Sequence, residues 1–284
     1  MAETTRDSTP IDTPTAAPIP IACDGAVLAE QHEHTLLVTI NRPEARNAVN
    51  VNVTLGIGEA LDYAEGQPEI RTVIITGAGD KAFCAGADLK EVAAGAGGLD
   101  DPRAERWGFA GFVRHAISKP IIAAVNGFAL GGGTEISLAS DLIVAADSAT
   151  FGLPEVKRGI FAAAGGAFRL PRQLPYKVAL EAMLTAQPIT AQRAYELGLV
   201  NRVVPLERLL DEAFALAELI NANAPLSVQV TKRIAREITD GRFAAEDDDW
   251  ARSTAEGAFL MTTGDAKEGP RAFAEKRAPQ WQGK

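Results

Sequence analysis

Cysteine is nearly absent. Cys23 and Cys84 are the only two in 284 residues and form no CxxC pair, which excludes a disulfide framework and a cysteine-built metal centre and fits a reducing cytoplasm. Histidine is as scarce, and His32, His34 and His115 lack the Asp/Cys company of a ligand cluster, so no metal is expected. No stretch approaches the roughly 20 apolar residues of a membrane span. The most apolar run, Ile121 to Leu130, is broken by Asn126 and Gly127. There is no dense basic run either. Twenty-eight Lys plus Arg against thirty-seven Asp plus Glu give a net charge of −9, which argues against a nucleic-acid partner. GxSxG, GxGxxG and GxxxxGK[ST] are all missing, which removes the common serine-hydrolase and nucleotide-binding fingerprints.

What is present begins with a Thr-, Pro- and Ala-rich segment from Met1 to about Asp24, without the basic start and continuous apolar stretch of a secretory signal; it reads as a disordered tail. Leu36, Val38 and Ile40 alternate as in a strand that ends at Arg42-Pro43. Val49, Val53, Ile57 and Leu61 then recur every fourth position, predicting a helix over 47–65, and Thr72 to Ile75 predicts a second strand before a glycine turn. The rhythm returns with a predicted helix from Phe109 to Ile117, a buried strand from Ile121 to Val125, a helix opening near Gly132, and strands over Asp141 to Ala145 and Ala149 to Gly152. Glu91 to Arg106 reads as a long loop. Helical patterns dominate after Pro205, over 206–221, 225–239, 246–261 and 266–276. The chain therefore divides into the tail (1–24), an α/β core (25–205) and a helical C-terminal region (206–284).

The chemistry concentrates around glycine. Lys81 to Lys90 contains Gly86-Ala87-Asp88 after a strand, and Gly131-Gly132-Gly133 opens a helix. Small residues in such places leave backbone N–H groups open to an oxygen anion, and the helix dipole favours negative charge. Glu135 lies in the first turn of that helix and Glu155 follows Gly152-Leu153-Pro154. Two carboxylates beside backbone donors suit acid/base chemistry next to a thioester carbonyl. Taken singly, Glu135 could also serve the helix dipole, and Glu155 could pair with Lys157 or Arg158. Cys84 reads as a small buried side chain rather than a nucleophile, and Trp107 and Phe109 read as helix-packing residues, with lining of an acyl pocket as the alternative.

Taken in order, Asn41 to Ala48, Phe83 to Lys90, Asn126-Gly127, Gly131 to Glu135, Phe151 to Glu155 and Glu275 to Pro279 resemble the enoyl-CoA hydratase/isomerase (crotonase) family from about residue 30 onward. The resemblance implies a crotonase (ClpP-like) fold of repeated ββα units with a C-terminal helical region for oligomerisation and pocket completion, as a homotrimer or homohexamer. It places the oxyanion hole on the N–H groups of Ala87 and Gly132 and the catalytic acid/base pair on Glu135 and Glu155. It puts substrate contacts at Ala45, Arg46, Asn47, Ala87, Asp88, Leu89, Lys90, Gly132 and Lys276. No cofactor is implied beyond the coenzyme A carried by the acyl thioester substrate. Retention of both glutamates points to a hydratase, with an enoyl-CoA isomerase, a carnitinyl/crotonobetainyl-CoA hydratase and a non-catalytic acyl-CoA binder as alternatives. Ala162 and Ala163 depart from the proline and glycine common in the family, which bears on pocket shape.

Overall fold

The computed structural model describes residues 16–88, 91 and 101–284. Its strands are β1 (Ala17–Pro18), β2 (Val27–His32), β3 (Thr35–Ile40), β4 (Thr72–Gly77), β5 (Ala82–Cys84), β6 (Ile121–Val125), β7 (Phe128–Leu130), β8 (Leu142–Ala146), β9 (Thr150–Gly152), β10 (Ile189–Thr190), β11 (Arg202–Val204), β12 (Ile238–Thr239) and β13 (Arg242–Phe243). The helices are α1 (Val51–Gly66), α2 (Pro102–Trp107), α3 (Gly132–Ala139), α4 (Gly166–Gln173), α5 (Tyr176–Thr185), α6 (Ala191–Glu196), α7 (Leu209–Asn221), α8 (Pro225–Ala235), α9 (Asp247–Met261) and α10 (Gly264–Ala274).

Two sheets hold all of these strands but β12 and β13: a seven-stranded sheet ordered β1-β2-β3-β4-β6-β8-β11 and a four-stranded one ordered β10-β9-β7-β5. Successive pairs β4/β5, β6/β7 and β8/β9 each place one strand in either sheet, which is the expected repeated unit. The large sheet is mostly parallel and covered on both faces, so β4 and β6 are buried throughout instead of alternating. One apolar layer joins Leu36, Val38 and Ile40 to Val53, Ile57 and Leu61 of α1; another joins Leu37, Ile74, Ile122 and Val144 to Leu209, Ala213 and Ala217 of α7.

Several expectations shift at the edges of these elements. The tail does not extend to Asp24: Ala17–Pro18 pairs with β2, the Ile19 N–H donates to Ala29 O at 2.8 Å, and Cys23 is buried. Helix α1 starts later than expected because Arg46 and Asn47 have φ of 54° and 55°, and Asn50 caps it by accepting from Val53 N at 3.0 Å. No helix spans Phe109 to Ile117. Ala110 and Gly111 have φ of 60° and 67°, and the chain lies so close to α1 that a Cβ at Gly111 would meet Thr54 O at 2.1 Å. The apolar spacing there reflects packing on α1. The loop expected to Arg106 instead holds α2, capped by Asp101, whose carboxylate accepts from Arg103 N at 2.8 Å; residues 92–100 lie outside the described part. The expected helix to Thr239 stops at Ala235, and a β12/β13 hairpin follows, with Asp240 and Gly241 at φ of 50° and 70° in its turn. Asp-Gly favours that turn.

Candidate active site

Strands β5, β7 and β9 run parallel as neighbours in the small sheet, so their C-terminal ends share one edge. The residues just beyond those ends are Gly86-Ala87, Gly131-Gly132 and Pro154-Glu155. Carboxyl ends of parallel strands are where an α/β sheet exposes a ligand site. Ala87 forms an isolated parallel bridge with Val49, using Val49 N to Gly86 O at 2.8 Å and Asp88 N to Val49 O at 2.9 Å. Alternation along the strand turns the N–H of Ala87 away from that bridge. Gly132 is the first residue of α3, where the helix offers its N–H no internal acceptor. A Cβ at Gly86 would lie 3.3 Å from Gly132 N, so the two donor segments are in contact.

Close approach explains the glycines. A Cβ at Gly132 would overlap the Phe109 ring at 2.2 Å, and one at Gly133 would lie 2.1 Å from the Cys84 carbonyl oxygen. Behind this edge, two asparagines tie down the turns. The Asn47 amide donates to Ala78 O at 3.0 Å and to Ala82 O at 2.7 Å while its oxygen accepts from Arg42 N; Asn126 donates to Gly79 O at 2.8 Å and accepts from Gly77 N.

Glu135 projects from the first turn of α3, is 3 % exposed, and its Oε1 accepts from Gly166 N at 2.9 Å. Burial pushes its carboxyl up to about 8; the negative Glu155 adds to the rise, while N–H groups of Gly166 and Ala164 and the Arg169 charge oppose it. Glu155 begins a short 3₁₀ turn, Glu155–Arg158, with its Oε1 3.0 Å from where a Cβ of Gly131 would stand. Burial pushes it up to about 7. Its Oε2 is buried with no hydrogen-bond partner among the described residues. Glu155 also lines a cavity of about 210 Å³ with Leu153, Phe161, Ala162, Met183 and Leu184.

Which carboxyl carries the proton follows from the donors. Burial raises both carboxyls; the Gly166 and Ala164 N–H groups favour a carboxylate at Glu135, while the Oε2 of Glu155, buried without a partner among the described residues, is a poor place for charge. The pair therefore offers one base and one acid near neutrality, titrating as a unit.

Thr134, absent from the sequence-derived site, links the two sides. Its hydroxyl lies 2.7 Å from Ala129 O and accepts from Gly152 N at 2.9 Å, fastening the first turn of α3 to the strand that leads into Glu155. A threonine beside a glutamate gives no such signal in one dimension. Glu155 does not pair with its neighbours: the Lys157 ammonium donates to Ala186 O, and Arg158 lies over the Phe273 ring at 3.7 Å. That contact belongs to a wider one in which α10 packs on the Glu155 turn, so close that a Cβ at Gly159 would meet Asp265 O at 2.3 Å.

The expected substrate contacts divide. Arg46 is exposed and Ala45 partly exposed beside the oxyanion edge, whereas Asn47 is buried and its amide is committed to the turns, so its side chain supports the edge instead of facing a ligand. Asp88 pairs with Arg42 at 3.0 Å, and Arg42 also donates to Ala48 O. Leu89 and Lys90 lie outside the described residues. Lys276 is exposed two residues beyond α10, at φ of 54°. Cys84 is wholly buried, and burial drives its thiol up to about 12, which leaves it inert at neutral pH. Trp107 is fully buried and stacks on His115 at 5.5 Å, so it packs the core. Among the described residues no His, Cys, Asp and Glu cluster could hold a metal, and no helix is long and apolar enough to cross a membrane.

The paired carboxyls beside two open N–H groups fit the family indicated by the motifs, and residues 30–284 match the enoyl-CoA hydratase/isomerase family model. The chain belongs to that family and has the crotonase fold. An enoyl-CoA hydratase of Mycobacterium tuberculosis is 43% identical over 259 residues, covering 90% of this chain and 96% of the relative. A carnitinyl-CoA dehydratase of Salmonella arizonae is 43% identical over 251 residues, covering 87% of this chain and 95% of its own. The crystal structure of a carnitinyl-CoA hydratase from Mycobacterium avium matches with a TM-score of 0.89 at 54% identity, covering 91% of this chain and 99% of that one.

Proposed function

We propose that this chain is a hydro-lyase that adds water across the C2–C3 double bond of a trans-2-enoyl-CoA to give a 3-hydroxyacyl-CoA. The observation that carries this reading is the pair of buried carboxyls, Glu135 met by the Gly166 N–H and Glu155 with one oxygen left unpartnered among the described residues, at the edge where Ala87 and Gly132 present their N–H groups. The thioester oxygen sits between those two donors, which stabilise the enolate charge that develops during attack. Glu135 takes a proton from water as its oxygen bonds to C3, and Glu155 gives its proton to C2. The pair thus ends with its single proton moved from Glu155 to Glu135, and exchange with solvent resets it. Coenzyme A enters only as part of the substrate, near Ala45, Arg46, Asp88 to Lys90 and Lys276. The reaction class calls for no metal, because backbone dipoles supply the electrophile.

Homologues named for carnitinyl-CoA favour a second substrate class for the same chemistry, an enoyl thioester with a polar tail. Large apolar side chains on the C-terminal helices, including Leu226, Ile234 and Phe259, are exposed, which supports self-association of this chain; a homotrimer or homohexamer is the assembly proposed. Mixing the protein with crotonyl-CoA and with crotonobetainyl-CoA, and following both the conjugated-thioester absorbance and product mass, tests the reading. A gain of one water is expected. A shifted double bond without mass change would select an isomerase, and binding without turnover of either thioester would leave an acyl-CoA binder.

A further inference from the structure

Arg169 is the most deeply buried guanidinium near the site. It lies on α4, is 2 % exposed, and is held by Glu246, the residue just before α9. Nε donates to Glu246 Oε1 at 2.9 Å and Nη2 to Glu246 Oε2 at 2.6 Å; Nη2 also reaches Val113 O at 2.6 Å. Trp250 of α9 adds a donor to the same carboxylate, 3.2 Å from Oε2. The third nitrogen, Nη1, is buried with no hydrogen-bond partner among the described residues. It faces the Gly165-Gly166 turn: a Cβ at Gly165 would stand 3.0 Å from Nη1 and 3.3 Å from the Trp250 ring. Gly165 has φ of 104°, a left-handed conformation that glycine tolerates, and the next N–H, that of Gly166, is the one donated to Glu135.

One buried cation therefore touches three segments at once: the turn that binds Glu135, the Phe109 to His115 segment that packs Phe109 on Gly132, and the C-terminal region. A buried ion pair kept for stability alone is poorly motivated, since an apolar replacement usually serves as well, and leaving one nitrogen unpartnered makes that account poorer still. We infer that Arg169 is a positioning residue for Glu135, with Glu246 of the C-terminal region as its counter-charge. The pair fixes the turn whose N–H meets the Glu135 carboxylate and sets the positive field at that carboxylate.

The other charges near this axis are accounted for. Glu155 opposes ionisation of Glu135, and the Gly166 and Ala164 N–H groups and Arg169 favour it. Around Arg169 itself stand Glu246 and Arg236; Arg236 feels both and is also drawn to Asp141, which pairs with Lys232 at 2.7 Å. Arg172 on the same helix is committed to Asp249 at 2.6 Å, and Arg114 lies over the Trp250 ring, 4.9 Å from its centroid.

This inference rests on the hydratase reading, so its test includes a readout that needs no turnover. Arg169→Met, Arg169→Lys and Glu246→Gln are compared for the pH profile of kcat and for titration of Glu135 by carbon NMR of carboxyl-labelled, ligand-free protein. Arg169→Met removes the cation and should move the Glu135 titration to higher pH; Glu246→Gln leaves the cation uncompensated and should move it lower. Each shift is expected to be about 0.5–1 pH unit. Arg169→Lys keeps the charge but loses the fork, so it should titrate like the parent while kcat falls. Opposite shifts from the two charge-removing variants are the signature, because loss of packing alone cannot produce them. Shifts of the same sign, or lower activity with an unmoved Glu135 titration, would overturn the inference. Should Arg169→Met fail to fold, the downward shift in Glu246→Gln and the unmoved titration in Arg169→Lys still decide it. Absence of hydration in the parent protein would instead sink the hydratase reading and leave the NMR result standing.

Discussion

The two halves of the site are built from different materials. The half proposed to hold the oxyanion uses backbone and neutral amides: Ala87 and Gly132 are set by a strand bridge, a helix start and the side chains of Asn47 and Asn126, which reach carbonyls within a few residues of β4 and β5. The carboxylate half uses burial and charge, and its supports come from far along the chain, with Glu246 gripping Arg169 and α10 packed on the Glu155 turn. Neutral support makes a fixed dipole that does not respond to pH. Buried charge makes a group whose protonation can change during the reaction, which is what a proton donor and acceptor require. Damage to the first half should therefore act equally at all pH values, and damage to the second should reshape the pH profile.

The largest effect is expected at Glu155, the proposed proton donor. Glu155→Gln should lower kcat by about 10²–10⁴-fold while leaving thioester binding nearly intact. The pH profile sharpens the point. Below the range of about 7 to about 8 both carboxyls are protonated and the base is lost; above it both are ionised and the acid is lost, so the parent profile is a narrow bell. In Glu155→Gln the alkaline limb should vanish, while the acid limb, set by Glu135 losing its proton beside a neutral partner in both proteins, should stay nearly in place. Retention of both limbs in this variant would remove Glu155 from the proton path.

Next in size is Gly133→Ala, aimed at the backbone half. The new methyl would stand 2.1 Å from the Cys84 carbonyl oxygen, and main chain cannot swing away as a flexible side chain can. Overpacking of this kind costs about 1–3 kcal/mol. We expect a lower melting temperature and a kcat reduced by the same factor across the pH range. A changed pH profile would show that the two halves are coupled more tightly than their construction suggests.

How much of this was legible in the sequence follows the same division. The edge that gathers these residues was legible because glycine marks it: Gly86-Ala87 and Gly131 to Gly133 sit directly after strands, and both glutamates lie within a few residues of glycine. Strand β6 was read with its observed bounds because a continuous apolar run has one comfortable place, the middle of a parallel sheet. The segment from Phe109 was misread as a helix since its apolar spacing serves close packing on α1, which spacing cannot distinguish. Arg169 and Glu246 were invisible as a pair. They are 77 residues apart, and nothing local marks either as the partner of the other.

Thr134 sits where the halves meet, which makes it the smallest and most discriminating change. Its hydroxyl accepts from Gly152 N and contacts Ala129 O, joining the helix that begins with the oxyanion donor Gly132 to the strand that delivers Glu155. Thr134→Val keeps the shape but leaves a buried N–H and a buried carbonyl without this partner, at a cost of about 1–3 kcal/mol. Because the hydroxyl is neutral and does not titrate, the limbs of the bell should stay in place while stability falls and kcat drops several-fold. A displaced limb would mean that the latch sets the spacing of the two carboxyls, since their mutual repulsion is the part of the Glu135 titration that a small shift of β9 would alter.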